Sequence, residues 1–300
     1  MYSEPRWIDV EVPAGQLRAL SWGPEDAPIA LCLHGFPDTA YGWRKLAPAL
    51  YGAGYRVVAP FLRGYVPSSL ASDGSYHIGA LMDDALRIRE AAGGTDRDIL
   101  IGHDWGAITA SSIAAMPDNP FRRTVVMSVP PAAALRVGDE RAALLGKVPA
   151  QLLRSWYIMF FQLPALPERS ARWIVPLLWR RWSPGYPAAE DIRHVDAAIG
   201  APERWRAALG VYRATIRNTR PPAQYARLHE FWTSAASPVG PVLYLHGADD
   251  GCMTADFTHW VDKVLPAGSR SAVVDHAGHF LQLEQPQRVG ELILDFVGPA

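Results

Sequence analysis

Residues 98–107 (Asp-Ile-Leu-Ile-Gly-His-Asp-Trp-Gly-Ala) carry the arrangement with the clearest chemical consequence. A short apolar run leads into Gly102-His103-Asp104-Trp105-Gly106, and a helical pattern follows over 108–116. Strand, sharp turn and helix in this order make a nucleophile elbow, usually written G-x-S-x-G. The turn is tight and strained, so glycine is needed at both ends. Here Asp104 occupies the place of serine. A carboxylate nucleophile attacks an electrophilic sp³ carbon and leaves an alkyl ester. That points to epoxides or alkyl halides, and away from peptides and ordinary esters. An aspartate before a helix often serves only as its cap, but capping does not account for Gly102 and Gly106.

Three further loops carry the other groups such chemistry needs. In His34-Gly35-Phe36-Pro37, glycine lets the backbone come close to a reacting atom. The Phe36 amide is then one oxyanion donor, and the Trp105 amide, just after the nucleophile, is the other. In Gly247-Ala248-Asp249-Asp250-Gly251, a carboxylate can hold a histidine in the right tautomer. Asp250 is the choice and Asp249 the runner-up; the bland reading is an acidic turn. In Asp275-His276-Ala277-Gly278-His279-Phe280, one histidine is the base that activates water. His279, preceded by glycine, is the better candidate, which leaves His276 as a supporting or surface residue. His77, His103, His194, His229, His246 and His259 are read as ordinary structural histidines.

Each of these loops must follow a strand to be held in place. Alternating runs at 6–12 and 16–22, joined by Pro13-Ala14-Gly15, predict an antiparallel hairpin. Strands are predicted at 29–34, 55–59, 98–102 and 123–128, with helices at 43–53, 78–92 and 107–116 between them. Regular alternation of this kind argues for a parallel sheet covered on both faces. From about 131 to 237 the periodicity is helical, with no convincing strand and with six of the eleven tryptophans. Alternation then resumes, with strands at 242–246 and 271–275 and helices at 256–264 and 286–297. The reading is an α/β core of 1–130 and 238–300, interrupted by a helical cap of 131–237 that forms a lid over the site. Nucleophile, acid and histidine follow in the chain order of an α/β-hydrolase, and the interruption falls between nucleophile and acid.

Composition excludes several classes. A formal net charge of −1 offers no electrostatic attraction to nucleic acid or an anionic membrane. Lysine occurs only at Lys45, Lys147 and Lys263, which is read as coding bias. Cys32 lies in an apolar run and reads as core, Cys252 follows the acid loop, and a disulfide between them is not expected. The first residues do not resemble a signal peptide, and no run reaches the roughly 18 apolar residues of a membrane helix. A soluble, cytoplasmic protein, monomer or homodimer, is expected, with no metal or organic cofactor.

Taken together, HGFP (34–37), GHDWGA (102–107), HGADD (246–250) and GHF (278–280) make the chain resemble the α/β-hydrolase-fold epoxide hydrolases over almost its whole length. The resemblance implies two lid tyrosines that hold and protonate the epoxide oxygen. Phe161-Gln162-Leu163-Pro164 assigns one role to Tyr157, and Val211-Tyr212-Arg213 assigns the other to Tyr212. Tyr186 and Tyr225 are expected to pack at an interface with their hydroxyls in water. The chain departs from the family at Phe61, where members often carry aspartate, and in Val66-Pro67-Ser68; altered loop packing or pocket shape is expected, without loss of chemistry. The resemblance implies a small-molecule epoxide with water as the second reactant, and the many lid aromatics, which could equally be lid core, suggest an apolar or aromatic one. A haloalkane dehalogenase would use the same Asp–His–acid logic, but many carry asparagine where this chain has Phe36. A non-catalytic module binding a small ligand is the alternative from another class.

Overall fold

The computed structural model describes residues 4–136 and 141–300. Its eight strands are β1 (Arg6–Val12), β2 (Gly15–Trp22), β3 (Ile29–Leu33), β4 (Arg56–Pro60), β5 (Ile99–His103), β6 (Arg123–Met127), β7 (Val242–Gly247) and β8 (Arg270–Val274). They form one sheet in the order β1-β2-β4-β3-β5-β6-β7-β8. β1, β2 and β4 pair antiparallel, and every pair from β4 to β8 is parallel. This is an α/β-hydrolase fold with a mostly parallel sheet. All residues of β3 and β5 are buried, as expected of central parallel strands covered on both faces. In the hairpin, Val12 pairs with Gly15, so the turn is the two residues Pro13 and Ala14.

The helices of the α/β part are α1 (Ala47–Gly52), α2 (Ile78–Ala91), α3 (Trp105–Ala114), α10 (Thr258–Val264), α11 (Leu281–Glu284) and α12 (Pro286–Val297). Buried Ile78, Leu81, Met82, Ala85 and Ile88 give α2 its apolar stripe. The segment 43–53 is not one helix: a 3₁₀ turn over Ala40–Trp43 precedes α1. Pro48 explains the break, since proline lacks an amide donor and fits only a helix's first turn. The short α11, after the histidine loop, was not foreseen.

Between β6 and β7 the described residues hold no strand. They form α4 (Arg141–Arg154), α5 (Trp156–Phe160), α6 (Ala171–Trp182), α7 (Ala189–Ile199), α8 (Pro202–Ile216) and α9 (Ala223–Thr233). Of the six tryptophans expected there, Trp179, Trp182 and Trp205 are almost wholly buried, Trp156 and Trp232 are partly buried, and Trp173 is exposed. No described helix is long and apolar enough to cross a membrane.

Phe61 is buried, stacked on Trp7 at 5.9 Å and edge-on to Tyr41 at 5.7 Å. It therefore packs the loop after β4 against the sheet edge. Two residues on, Arg63 makes a buried, two-pronged pair with Asp84 of α2, both bonds at 2.7 Å.

Candidate active site

The elbow is strained as its motif requires. Asp104 has φ 54° and ψ −115°, and its side chain makes no capping bond to α3. Capping therefore does not explain this aspartate. A Cβ on Gly102 would collide with the Gly106 carbonyl, and one on Gly106 with the Leu33 carbonyl. The carboxylate instead turns toward the loop after β3, where the Phe36 amide donates to Oδ1 at 2.7 Å. That approach requires Gly35, because a Cβ there would overlap the Asp104 side chain and the Trp105 amide nitrogen. Trp105 opens α3, so its amide has no intrahelical partner.

His279 Nε2 lies 3.7 Å from Asp104 Oδ2 and has no hydrogen-bond partner. Its other nitrogen, Nδ1, is 2.9 Å from Asp250 Oδ2. Asp250 Oδ1 accepts from the amides of Cys252, at 2.6 Å, and Met253, at 3.0 Å. Asp250 is buried while Asp249 is exposed, so the acid facing the histidine is Asp250. His276 is exposed on the surface. Burial works against charge on His279, but the Asp250 and Asp104 carboxylates overcome it and raise its pKa to about 10. Asp250 is also penalised by burial, yet the adjacent His279 holds its carboxyl below the ordinary range.

Tyr157 on α5 and Tyr212 on α8 are both buried, with ring centroids 5.8 Å apart. Tyr212 meets the Trp105 ring edge-on at 4.8 Å and the Phe36 ring at 5.2 Å. Its hydroxyl has no hydrogen-bond partner. The Tyr157 hydroxyl lies 3.6 Å from Cys252 Sγ. Burial, then neighbouring groups that include the Asp104 charge, push both phenols well above their usual range. The structure thus brings Asp104, Asp250, His279, Tyr157, Tyr212, Phe36 and Trp105 together in one chain of contacts. A cleft of about 440 Å³ lies within the helical insertion and one of about 470 Å³ between it and the α/β part, but none of these seven side chains lines either.

Tyr186 and Tyr225 lie elsewhere, but their hydroxyls are not left to water. Tyr186 donates to Asp191 at 2.9 Å and Tyr225 to Asp73 at 2.7 Å. Three further residues lie close to the site. His103 lies beneath His279, its Nε2 2.9 Å from the His279 carbonyl. Burial, then the neighbouring His279, lower its pKa to about 3, so it stays neutral. His246 Nε2 sits 3.4 Å from Asp250 Oδ2. Cys252 lies beside the Tyr157 hydroxyl; its place two residues after the acid was the only signal available for it. Asp250, Cys252 and His279 also come close enough together to serve as ligands for a metal ion.

A family model of the alpha/beta hydrolase fold matches residues 28–286. The chain is 30% identical over 285 residues to epoxide hydrolase 3 of Xenopus tropicalis, covering 92% of this chain and 72% of that one. It is 29% identical over 288 residues to the AB hydrolase superfamily protein YfhM of Bacillus subtilis, covering 94% of each. Among solved structures, epoxide hydrolase A of Mycobacterium thermoresistibile superposes with a TM-score of 0.70 at 26% identity, over 97% of this chain and 98% of that one.

Proposed function

The chain belongs to the alpha/beta hydrolase fold family, among its epoxide hydrolases, and from that premise we propose that it opens an epoxide to a vicinal diol through an ester on Asp104. One observation carries this reading. A carboxylate in the elbow shares its space with two buried phenols, and one of them, Tyr212, has a hydroxyl with no acceptor. A buried hydroxyl without a partner is costly, and an epoxide oxygen would supply the missing acceptor. Residues 131–237 serve as the cap that delivers both phenols.

In the first step an Asp104 oxygen bonds to one ring carbon as the ring C–O bond breaks. The released oxygen takes a proton from Tyr157 or Tyr212. Their raised pKa values keep both phenols protonated, hence ready to donate. In the second step His279, oriented by Asp250, takes a proton from water. The resulting hydroxide adds to the ester carbonyl, and the Phe36 and Trp105 amides hold the oxyanion. As the acyl C–O bond breaks, the carboxyl proton passes to the departing alkoxide, the diol leaves, and Asp104 is again a carboxylate beside a protonated His279.

The charges order these steps. In the resting site His279 is held protonated, so it cannot act as a base. Alkylation neutralises Asp104 and removes one of the two carboxylates that raise His279. The imidazolium can then pass its proton through solvent to the tyrosinate, and the neutral imidazole activates water. The base is thus switched on by formation of its own substrate.

Single turnover of an epoxide panel in heavy-oxygen water, with enzyme in excess, tests the route. Label is expected in Asp104 and not in the first-turnover diol; label directly in the diol sinks it. A panel of bromoalkanes tests the dehalogenase reading, which requires halide release without diol formation from epoxides.

A further inference from the structure

We propose that Gly251 and Gly278 are positioning residues, kept free of a side chain so that the last turn of α6 can clip the acid loop to the histidine loop. The inference rests on the reading that His279, paired with Asp250, hydrolyses the ester.

The two loops follow different strands, β7 and β8, yet Asp250 and His279 must meet across them. The last four carbonyls of a helix have no intrahelical donor. In α6 one of them is used twice: the Trp182 carbonyl accepts from the Gly251 amide at 3.2 Å and from the His279 amide at 2.9 Å. One cap atom therefore joins the acid loop to the base itself. A Cβ on Gly251 would collide with the Arg181 carbonyl, and one on Gly278 would lie 2.5 Å from the Trp182 carbonyl oxygen. Neither glycine has a positive φ, so close approach, and not backbone conformation, is what demands glycine at both sites.

Neighbouring groups hold the clip in place. The Ser183 hydroxyl donates to Glu284 at 2.6 Å and accepts from the Phe280 amide at 3.3 Å. Glu284 also accepts from the amides of Gly278, at 2.9 Å, and Phe280, at 3.1 Å. Trp179 stacks on Phe280 with ring centroids 3.6 Å apart and planes 10° apart. Across the acid loop, Gln151 donates to the Cys252 carbonyl at 2.8 Å and Arg154 to the Asp250 carbonyl at 2.7 Å. The acid loop is thus held from two sides by the helical insertion. Asp104, in contrast, is held by the Phe36 amide of the α/β part. Through Trp179, whose Nε1 donates to the Pro37 carbonyl at 2.9 Å, α6 also reaches the loop that holds Asp104; a displacement confined to residues 181–183 should therefore disturb the Asp250–His279 pair more than the nucleophile.

The test compares Gly251→Ala and Gly278→Ala with a control, Gly240→Ala, whose Cβ would meet nothing within 4 Å. Two readouts are taken. One is the downfield proton resonance of the His279 imidazole in the free enzyme, assigned by its loss in His279→Gln. The other is rapid-quench measurement of ester formation and ester hydrolysis as separate rates. Both glycine variants are expected to lose or shift the resonance, to form ester at the wild-type rate, and to hydrolyse it about 10²-fold more slowly, the scale of an ångström-sized misplacement. A wild-type resonance and hydrolysis rate overturns the proposal, and so does equal slowing of both steps. If the glycine variants do not fold, Ser183→Ala decides: slower hydrolysis with unchanged ester formation supports the clip, and unchanged hydrolysis overturns it. Loss of the resonance in the variants, with no ester from any epoxide in the wild type, leaves the clip standing and sinks the epoxide reading instead.

Discussion

Asp104 illustrates how much one residue type can decide. Replacing its attacking oxygen should abolish the first step. Asp104→Asn is expected to lower kcat by a factor on the order of 10⁴, as loss of a catalytic triad member does, with the fold retained by circular dichroism. His279→Gln should leave alkylation intact and stall the second step, so that mass spectrometry finds the substrate-derived ester on Asp104. Tyr212→Phe and Tyr157→Phe should each slow ester formation by about 10²-fold, the lower end of what a positioned acid supplies. Tyr212→Phe removes a hydroxyl that has no partner in the resting site, so the fold should tolerate it well; rising thermal stability with falling activity would fit that account. The sequence motifs marked Asp104, Phe36, Trp105, Asp250 and His279 because each sits in a short loop with a local glycine. The tyrosines had no such local signal and rested on resemblance alone. His103 stands in the elbow and Cys252 two residues after the acid, but the chemistry read from the motifs has no role for either, so neither was assigned to the site.

At the scale of elements, short contacts between backbones hold the site. Gly106 lies against β3, so Gly106→Ala should push α3 away from the Leu33 carbonyl. The expected cost is about 1–3 kcal/mol, in the range of overpacked cores, measured by urea unfolding, together with a loss of activity from the displaced Asp104. The Arg63–Asp84 pair ties the loop after β4 to α2 with both side chains nearly shielded from water. Arg63→Met leaves a buried carboxylate alone, and about 3–5 kcal/mol of destabilisation is expected. Most elements were legible because their apolar periods differ, 2 for strands and 3.6 for helices. The segment 43–53 was not, because its spacing looks helical while Pro48 restricts where a helix can begin.

For the whole molecule, buried titratable groups set opposite limits on stability. Burial lowers His34 to about 4 and His103 to about 3. Both therefore bind fewer protons folded than unfolded, and stability rises with pH from about 3 toward 6.5. His279, raised to about 10 against its burial by two carboxylates, contributes stability that is fully present below 6.5 and is lost as pH rises through 10. Asp38 is raised from 3.8 to about 8, chiefly by burial, so it contributes stability that is fully present below 3.8 and is lost as pH rises through about 8. Calorimetry across pH should show melting temperature falling on the alkaline side. Asp38→Asn should flatten that fall up to about pH 8, and an unchanged profile would show that Asp38 does not titrate as described.

The order of strands and helices, the strained elbow and the loops bearing acid and base are local patterns, so the sequence alone determined them. Hydrophobic period and glycine spacing act over a few residues and leave their mark in the chain. The tertiary structure decided what those loops meet. It selected Asp250 by burying it and exposing Asp249. It placed Cys252 beside Tyr157, and it carried the Trp182 carbonyl onto two loops from different strands. Contacts of that kind join residues far apart in the chain, and no local pattern encodes the distance between them.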